Sequence, residues 1–181
     1  MRGAEAIMRK GRLLGQDVLI KDRIAKGYRV KSLDERLRRE RTRGEARLLH
    51  KAKREGVPCP TVLQIEDFSI TMSVIKGKRP EMNKNQAHRC GEMLAKLHAA
   101  DIIHGDYTPA NILEGKGGLF VIDFGLGFIS KDVEDKAIDV FTMLRAVSEK
   151  EAFLLGYGAY ADAVPVLKRV KAVEGRVRYA T

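Results

Sequence analysis

Two short stretches decide the fold of this chain: HGDYTPAN at residues 104–111 and VIDFG at residues 121–125. The first contains Asp106 and, five residues later, Asn111, while the second contains Asp123 directly after the apolar run Phe120–Ile122. Carboxylate and amide oxygens are the ligands that Mg²⁺ prefers in proteins. Phosphoryl transfer from a nucleotide needs little more than such oxygens, a positioned acidic residue and a cation for the phosphates.

The order and spacing of these residues match the catalytic loop and metal-binding loop of protein kinases. The pattern predicts that Asp106 is the catalytic acidic residue and that Asn111 and Asp123 bind Mg²⁺ beside ATP. The alternative is a capped turn at 104–111 and an unrelated strand end at Asp123. The complete ordered set favours the kinase interpretation over that alternative.

A kinase also needs a lysine on a strand and a helical glutamate that holds it. Lys21 ends the apolar run Val18–Ile20 and is the candidate lysine. Glu45 lies on or beside the apolar stripe of a predicted helix, where a carboxylate needs a charged partner, so it is favoured over Glu40. Arg41, one helical turn before Glu45, competes with Lys21 for this carboxylate.

The apolar periodicity predicts an α+β, bilobal, protein-kinase-like fold. Residues 1–76 form a small β-rich N-lobe with one long helix, and residues 77–181 form a reduced, mostly helical C-lobe. Ser32, with Glu35 at capping-box spacing, is expected to begin the long helix. The predicted helices are 33–55, Asn83 or Asn85 to about Ala100, 133–148, 149–161 and 163–173. The predicted strands lie within 1–31 and at 61–66, 69–75, 112–113 and 119–122.

The chain has 181 residues, a formal charge of +10 and a pI of about 9.7. Such an excess of positive charge favours polyanionic partners such as nucleic acid, although an inert basic surface would give the same numbers. Nine Lys and Arg residues lie between positions 36 and 54. The two cysteines have no metal-ligand spacing, and neither a signal peptide nor a membrane span is expected, so the chain is expected to be cytoplasmic.

Several features of large protein kinases are absent from the sequence. Gly3 stands alone where a glycine-rich nucleotide loop is usual, and no Ala-Pro-Glu follows Gly125. Gly105 occupies the position at which many protein kinases carry an arginine that pairs with a phosphorylated activation loop. The chain is therefore poorly equipped to dock a peptide or to be controlled in that way.

The chain resembles the small atypical kinase subunit of the KEOPS (EKC) tRNA-modification complex, archaeal type, over nearly its whole length. The shared strings are GAEA (3–6), RTRGEARLL (41–49), HGDYTPANIL (104–113), VIDFGLGFIS (121–130) and EDKAIDVF (134–141). The resemblance implies a serine/threonine protein kinase that uses ATP and Mg²⁺ and acts mainly as an ATPase. It also implies regulation of the partner subunit that forms threonylcarbamoyl-adenosine on tRNA, with the other KEOPS subunits and tRNA bound through the assembled complex.

By residue match, the resemblance assigns ATP binding to Lys21, Glu45, Gly3 and a hinge at Met72, Ser73 and Val74. Two positions depart from the family pattern. Ser73 replaces an acidic hinge residue, and the C-terminal VEGRVRYAT carries only Arg176 and Arg178 in place of a more basic tail.

Four alternatives remain open at this level: an aminoglycoside- or choline-type small-molecule kinase, a RIO-type kinase, a free-standing protein kinase and a binding module without activity. Only 58 residues follow Asp123, which disfavours the small-molecule kinases. RIO-type metal loops do not normally read Asp-Phe-Gly. Asp139 could brace the catalytic loop or be an ordinary surface charge.

Overall fold

The computed structural model describes the backbone of residues 6–179 and the side chains of residues 6–174. Its strands are β1 (Ala6–Leu13), β2 (Gln16–Arg23), β3 (Val62–Ile65), β4 (Ser69–Ser73), β5 (Gly77–Lys78), β6 (Ile102–Ile103), β7 (Ile112–Gly115), β8 (Gly118–Val121) and β9 (Phe128–Ile129). Its helices are α1 (Lys31–Arg54), α2 (Lys84–Ala99), α3 (Val133–Ala146), α4 (Lys150–Tyr157) and α5 (Ala163–Tyr179). The predicted α+β, bilobal kinase-like fold is confirmed.

The first sheet is antiparallel, with the strand order β1-β2-β4-β3, and α1 packs beside it. Side chains alternate between the two faces of a strand. On β2 this alternation puts Lys21 and Arg23 on one face, where both contact Glu45 of α1. Ala46 of α1 joins Ile70 and Met72 of β4 in a small apolar cluster that fixes the helix against the sheet.

The beginning of α1 differs from the sequence prediction. The helix begins after Val30, which is extended, and Ser32 makes no capping hydrogen bond, so the Ser32 capping-box prediction is wrong. The Asp34 side chain in the first turn instead accepts a hydrogen bond from the Lys26 amide at 3.2 Å and one from Arg38 at 2.7 Å. These contacts fasten the loop before the helix and remove the need for a cap at residue 32.

The second half of the chain is built around α2, whose start follows the prediction. Asn83 caps the helix in a reciprocal capping box with Gln86. The residues expected to point inward, Cys90, Met93, Leu94 and Leu97, are all buried. They join a core cluster that also includes the end of α1, so apolar packing is continuous from α1 into the C-terminal helices.

Helices α2 and α4 approach closely because each carries a glycine at the crossing. A Cβ atom on Gly91 would lie 2.1 Å from the carbonyl oxygen of Phe153, and one on Gly156 would lie 2.0 Å from that of His88. Helix α4 is shorter than the predicted 149–161, since it ends at Tyr157, and α5 extends beyond the predicted end at 173. Within residues 6–179, no helix is long and apolar enough to cross a membrane.

Candidate active site

The predicted lysine and glutamate lie together in the structure. Lys21 Nζ donates to Glu45 Oε1 at 2.7 Å, and Glu45 is almost completely buried. The same ammonium group donates to Asp123 Oδ1 at 2.7 Å, a contact between residues 102 positions apart in the chain. Lys21 thus connects the first sheet to the Asp-Phe-Gly segment, as a phosphate-binding lysine requires.

The other oxygen of Glu45 has a partner that the sequence did not reveal. Arg23 donates to Glu45 Oε2 at 2.6 Å, and its side chain is as buried as that of the glutamate. The carbonyl oxygen of Arg41, on the same helix as Glu45, accepts a hydrogen bond from the Arg23 guanidinium at 3.4 Å. Arg23 follows Lys21 by two residues on β2, and this period of two was the available signal.

Asp106 and Asn111 also lie together. The Asn111 amide nitrogen donates at 2.8 Å both to Asp106 Oδ2 and to the Asp106 carbonyl oxygen. Because the nitrogen makes both bonds, the amide oxygen is the atom of Asn111 that remains for a metal ion. Pro109 begins the short 3-10 turn that ends at Asn111 and carries this side chain back toward Asp106.

The catalytic loop and the metal-binding loop are joined by hydrogen bonds through Ile122. The Ile122 amide donates to the Asn111 carbonyl oxygen at 2.9 Å, and His104 Nε2 lies 3.1 Å from the Ile122 carbonyl oxygen. The His104 ring is packed between Tyr107 and Phe124, with centroids 5.5 Å and 4.9 Å away. Burial lowers the pKa of His104, so the imidazole is neutral and serves packing rather than proton transfer.

Asp139 of α3 braces the catalytic loop and is not a surface charge. Its side chain is fully buried. Oδ2 accepts from the His104 amide at 2.6 Å and Oδ1 from the Gly105 amide at 2.8 Å. The bracing alternative for Asp139 is therefore the correct one.

Asp123 adopts a left-handed backbone conformation with φ of 61°, which is uncommon for a residue other than glycine. Strained backbone of this kind is often found at functional sites. Burial acts to raise the pKa of Asp123, but the charge and hydrogen bond of Lys21 and the Gly125 amide outweigh it. The net pKa is below its ordinary value, so the carboxylate is ionised at neutral pH.

The side-chain oxygen atoms of Asn111 and Asp123 suit Mg²⁺, which takes hard oxygen ligands and keeps several waters. No three His, Cys, Asp or Glu side chains converge as a preformed metal cage in the described part of the chain. A Mg²⁺ ion that is held by one or two protein groups and by nucleotide phosphates does not need such a cage.

The predicted hinge residues lie at the end of β4 and just beyond it. Met72 is buried, and the Ser73 amide donates to the Thr61 carbonyl oxygen at 2.9 Å. Val74 follows the strand and is the next position whose backbone could face an adenine base. Gly3, the predicted nucleotide-loop glycine, lies outside the described residues.

Comparison with known proteins agrees with this geometry. The RIO domain family matches residues 19–143. A probable serine/threonine-protein kinase BUD32 homolog from Archaeoglobus fulgidus is 41% identical, and the match covers 91% of this chain and 89% of that protein. A probable bifunctional tRNA threonylcarbamoyladenosine biosynthesis protein from Methanosarcina acetivorans is 39% identical over 92% of this chain.

The chain spans 32% of the length of that bifunctional relative. Among solved structures, the Rio2 kinase from Chaetomium thermophilum in an ADP/Mg²⁺-phosphoaspartate complex has a TM-score of 0.70, at 14% identity, over 100% of this chain and 70% of that one. WaaP in complex with acyl carrier protein has a TM-score of 0.64, at 12% identity, over 97% of this chain and 86% of that one. These two likenesses show the fold.

The RIO-type alternative was disfavoured because of the Asp-Phe-Gly tripeptide, but the family match extends across that segment. The matched range contains all five predicted residues of the site, and the structure joins Lys21 to Glu45 and Asp123, and Asn111 to Asp106. The chain belongs to the RIO-domain family and, within it, to the group of Bud32 homologues.

Proposed function

We propose that the protein is an atypical serine/threonine kinase and ATPase that binds Mg-ATP between the first sheet and the loops at 104–125. The observation that carries this proposal is the contact of Lys21 with both Glu45 and Asp123. It joins the two lobes, here assigned to 1–76 and 77–181, at the place where phosphates would bind.

Each side chain has a role in this proposal. Lys21, held by Glu45, binds the nucleotide phosphates, and the backbone at Met72–Val74 binds adenine. Asn111 and Asp123 hold Mg²⁺, which when bound neutralises charge on the phosphates. Asp106 orients the attacking hydroxyl group or water and accepts its proton.

The segment after Asp-Phe-Gly favours a small acceptor or one presented by a partner. Only β9 and a short loop separate Gly125 from α3, which begins at Val133. The described residues therefore include no long activation segment on which a free peptide could lie. Water, giving ATP hydrolysis, or a hydroxyl group on a bound partner fits this short segment.

The names of the relatives support a biological setting. One is named as a BUD32 homolog and another as a bifunctional tRNA threonylcarbamoyladenosine biosynthesis protein. We propose that this protein acts in the cytoplasm, within the KEOPS complex, where it regulates the subunit that forms threonylcarbamoyl-adenosine on tRNA. The exposed basic residues of α1, including Arg43, Arg47 and Arg54, suit contact with tRNA through the assembled complex.

The direct test is Mg-ATP hydrolysis by the wild-type protein and the Asp123→Ala and Lys21→Ala variants. Both variants are expected to lose activity while remaining folded by circular dichroism. Asp67→Ala is a matched control, because its side chain is 55% exposed and paired with Arg39, much as Asp123 is 54% exposed and paired with Lys21. Wild-type turnover in Asp123→Ala would contradict the assignment of Asp123 as a Mg²⁺ ligand.

The setting is tested by measuring the same hydrolysis with and without the tRNA-modifying subunit and tRNA from the same organism. An increase or decrease that requires the subunit is expected. If the subunit neither binds the protein nor changes its hydrolysis, the regulatory part of the proposal fails while the ATPase assignment stands.

A further inference from the structure

Arg23 ends β2 and is the second cation on Glu45. Its guanidinium donates to Glu45 Oε2 at 2.6 Å while Lys21 donates to Oε1 at 2.7 Å. Arg23 is only 6% exposed and Glu45 only 3%. The carboxylate is thus held at both oxygens by two neighbouring side chains of the same strand.

Arg23 is itself fixed by contacts on several sides. Its amide donates to the Phe68 carbonyl oxygen at 2.8 Å, and its guanidinium donates to the Arg41 carbonyl oxygen at 3.4 Å. Arg38 of α1 donates to the Arg23 carbonyl oxygen at 3.4 Å. The guanidinium therefore presents a fixed donor to Glu45 and ties α1 to β2.

A second cation has a consequence for nucleotide binding. The Lys21 ammonium group has to satisfy Glu45, Asp123 and, in the proposed function, the phosphates. A buried carboxylate that loses its cation is strongly destabilised. Arg23 compensates the charge of the Glu45 carboxylate through Oε2, independently of Lys21. Glu45 can therefore stay in place while Lys21 shifts toward the phosphates.

We propose that Arg23 is a positioning residue for ATP use, acting on Lys21 through Glu45. This inference rests on the proposed function. It predicts that replacing Arg23 lowers ATP hydrolysis by more than any loss of folded protein explains. It also predicts that replacing Arg23 has little further effect in a protein in which Glu45 has already been replaced.

The experiment measures kcat/KM for Mg-ATP hydrolysis in Arg23→Gln, Arg23→Lys, Glu45→Gln and the double variant Arg23→Gln/Glu45→Gln. Arg23→Gln is expected to lower kcat/KM at least tenfold, and Arg23→Lys, which keeps the charge but not the planar fork, about threefold to fivefold. In the Glu45→Gln background, the Arg23→Gln change is expected to reduce kcat/KM less than twofold further.

Arg9→Gln is the matched control. Arg9 lies on β1 of the same sheet and pairs with Asp22, a carboxylate distinct from Glu45. Its side chain is 60% exposed, and its replacement is expected to leave kcat/KM within twofold. Thermal unfolding with and without Mg-ATP separates folding from function, since a positioning role predicts a smaller nucleotide-induced rise in Tm for Arg23→Gln.

The outcomes separate this inference from the proposed function. If the wild-type protein neither binds nor hydrolyses Mg-ATP, the proposed function fails. If the wild-type protein is active and Arg23→Gln has the same kcat/KM, the role of Arg23 is overturned. It is also overturned if the fold-losses in kcat/KM of the two single variants multiply in the double variant. Should Arg23→Gln not fold, Arg23→Lys decides, because wild-type kcat/KM in that variant would overturn the role.

Discussion

Two buried helical carboxylates hold the candidate active site, and they differ in what they bind. Glu45 of α1 binds two side-chain cations, Lys21 and Arg23. Asp139 of α3 accepts hydrogen bonds from the backbone amides of His104 and Gly105, and the His98 ring lies 3.4 Å from it. One carboxylate organises charged side chains, whereas the other mainly shapes the main chain of the catalytic loop.

The difference predicts different consequences of mutation. When Glu45 is replaced, Lys21 keeps its contact with Asp123 and Arg23 keeps its contact with the Arg41 carbonyl oxygen, so part of the cost is relieved. The cost is not relieved in this way for backbone amides in a packed loop, and each one left without a partner costs about 1–3 kcal/mol. Substitutions of Asp139 should therefore reduce stability most, and substitutions of Glu45 should reduce activity more than stability.

The largest effect on stability is expected for Asp139→Ala. Two buried amides would lose their acceptor, so the free energy of unfolding should fall by about 4 kcal/mol, and activity should fall with it. Urea unfolding followed by circular dichroism measures this loss. Asp139→Asn keeps one acceptor oxygen and should lose about half as much. A loss below about 1 kcal/mol in Asp139→Ala would contradict the bracing role.

Glu45→Gln should separate activity from stability. We expect kcat/KM for Mg-ATP to fall about a hundredfold, equivalent to about 2.7 kcal/mol, with a fall of about 2 kcal/mol in the free energy of unfolding. Glu40→Gln on the same helix is the control, because Glu40 is exposed and its distance to Arg36 is 3.9 Å. The proposed difference between Glu45 and Asp139 would be contradicted if Glu45→Gln kept its kcat/KM. It would also be contradicted if the free energy of unfolding fell as far in Glu45→Gln as in Asp139→Ala.

The two sites should also differ in their dependence on pH. Burial lowers the pKa of both His98 and His104, which lie beside Asp139, while no histidine contacts Glu45 among the described residues. Unfolding lets these imidazoles bind protons below their ordinary pKa of about 6.5, so stability should fall between pH 7 and 5.5. The slope approaches about 1.4 kcal/mol per pH unit for each proton.

Guanidinium chloride unfolding at several pH values measures this slope. His98→Gln should reduce it by one proton, while the exposed His88→Gln should leave it unchanged. A flat stability profile over this range would show that neither buried histidine gains a proton on unfolding.

The smallest effect is expected beside Glu45, at Gly44. A Cβ atom there would meet nothing within 4 Å, so Gly44→Ala should raise the free energy of unfolding by about 1 kcal/mol through helix propensity. Activity should not change, because the added methyl group would contact no other residue. Gly91→Ala at the crossing of α2 and α4 is the opposing control and should destabilise. A destabilised Gly44→Ala would contradict the open surroundings of this glycine.

The sequence predicted the parts of the site that depend on short-range spacing. Asp106 and Asn111 share one loop, and Asp123 lies just beyond the strand β8, which begins a few residues after Asn111. The local sequence pattern was therefore sufficient to predict these three residues. Lys21 and Glu45 were found because each stands at the edge of an apolar pattern where a charge requires a partner. The helices and the longer strands followed from the same periodicities, with shifts of a few residues at the ends, whereas the two-residue strands β5, β6 and β9 were not predicted.

The features that the sequence left open depend on contacts between distant segments. The period of two on β2 puts Arg23 on the same face as Lys21, but Arg23 is one of many basic residues and Glu45 is 22 positions away, so its partner was not evident. Asp139 looked equally like a surface charge, because the loop that it braces is 34 positions earlier. Ser32 satisfied a capping pattern, but Asp34 provides the contacts at that end of α1 through tertiary structure.

Gly105 limits the ways in which this protein could evolve new control. Its backbone has a φ of 79°, and a Cβ atom there would lie 2.5 Å from the Leu126 carbonyl oxygen. A single codon change to arginine, the residue that links many protein kinases to a phosphorylated loop, would thus distort the catalytic loop before it could create a regulatory contact. Control of this loop by a phosphorylated segment therefore requires more than one substitution, because the backbone around residue 105 has to change before a new side chain there can form a contact.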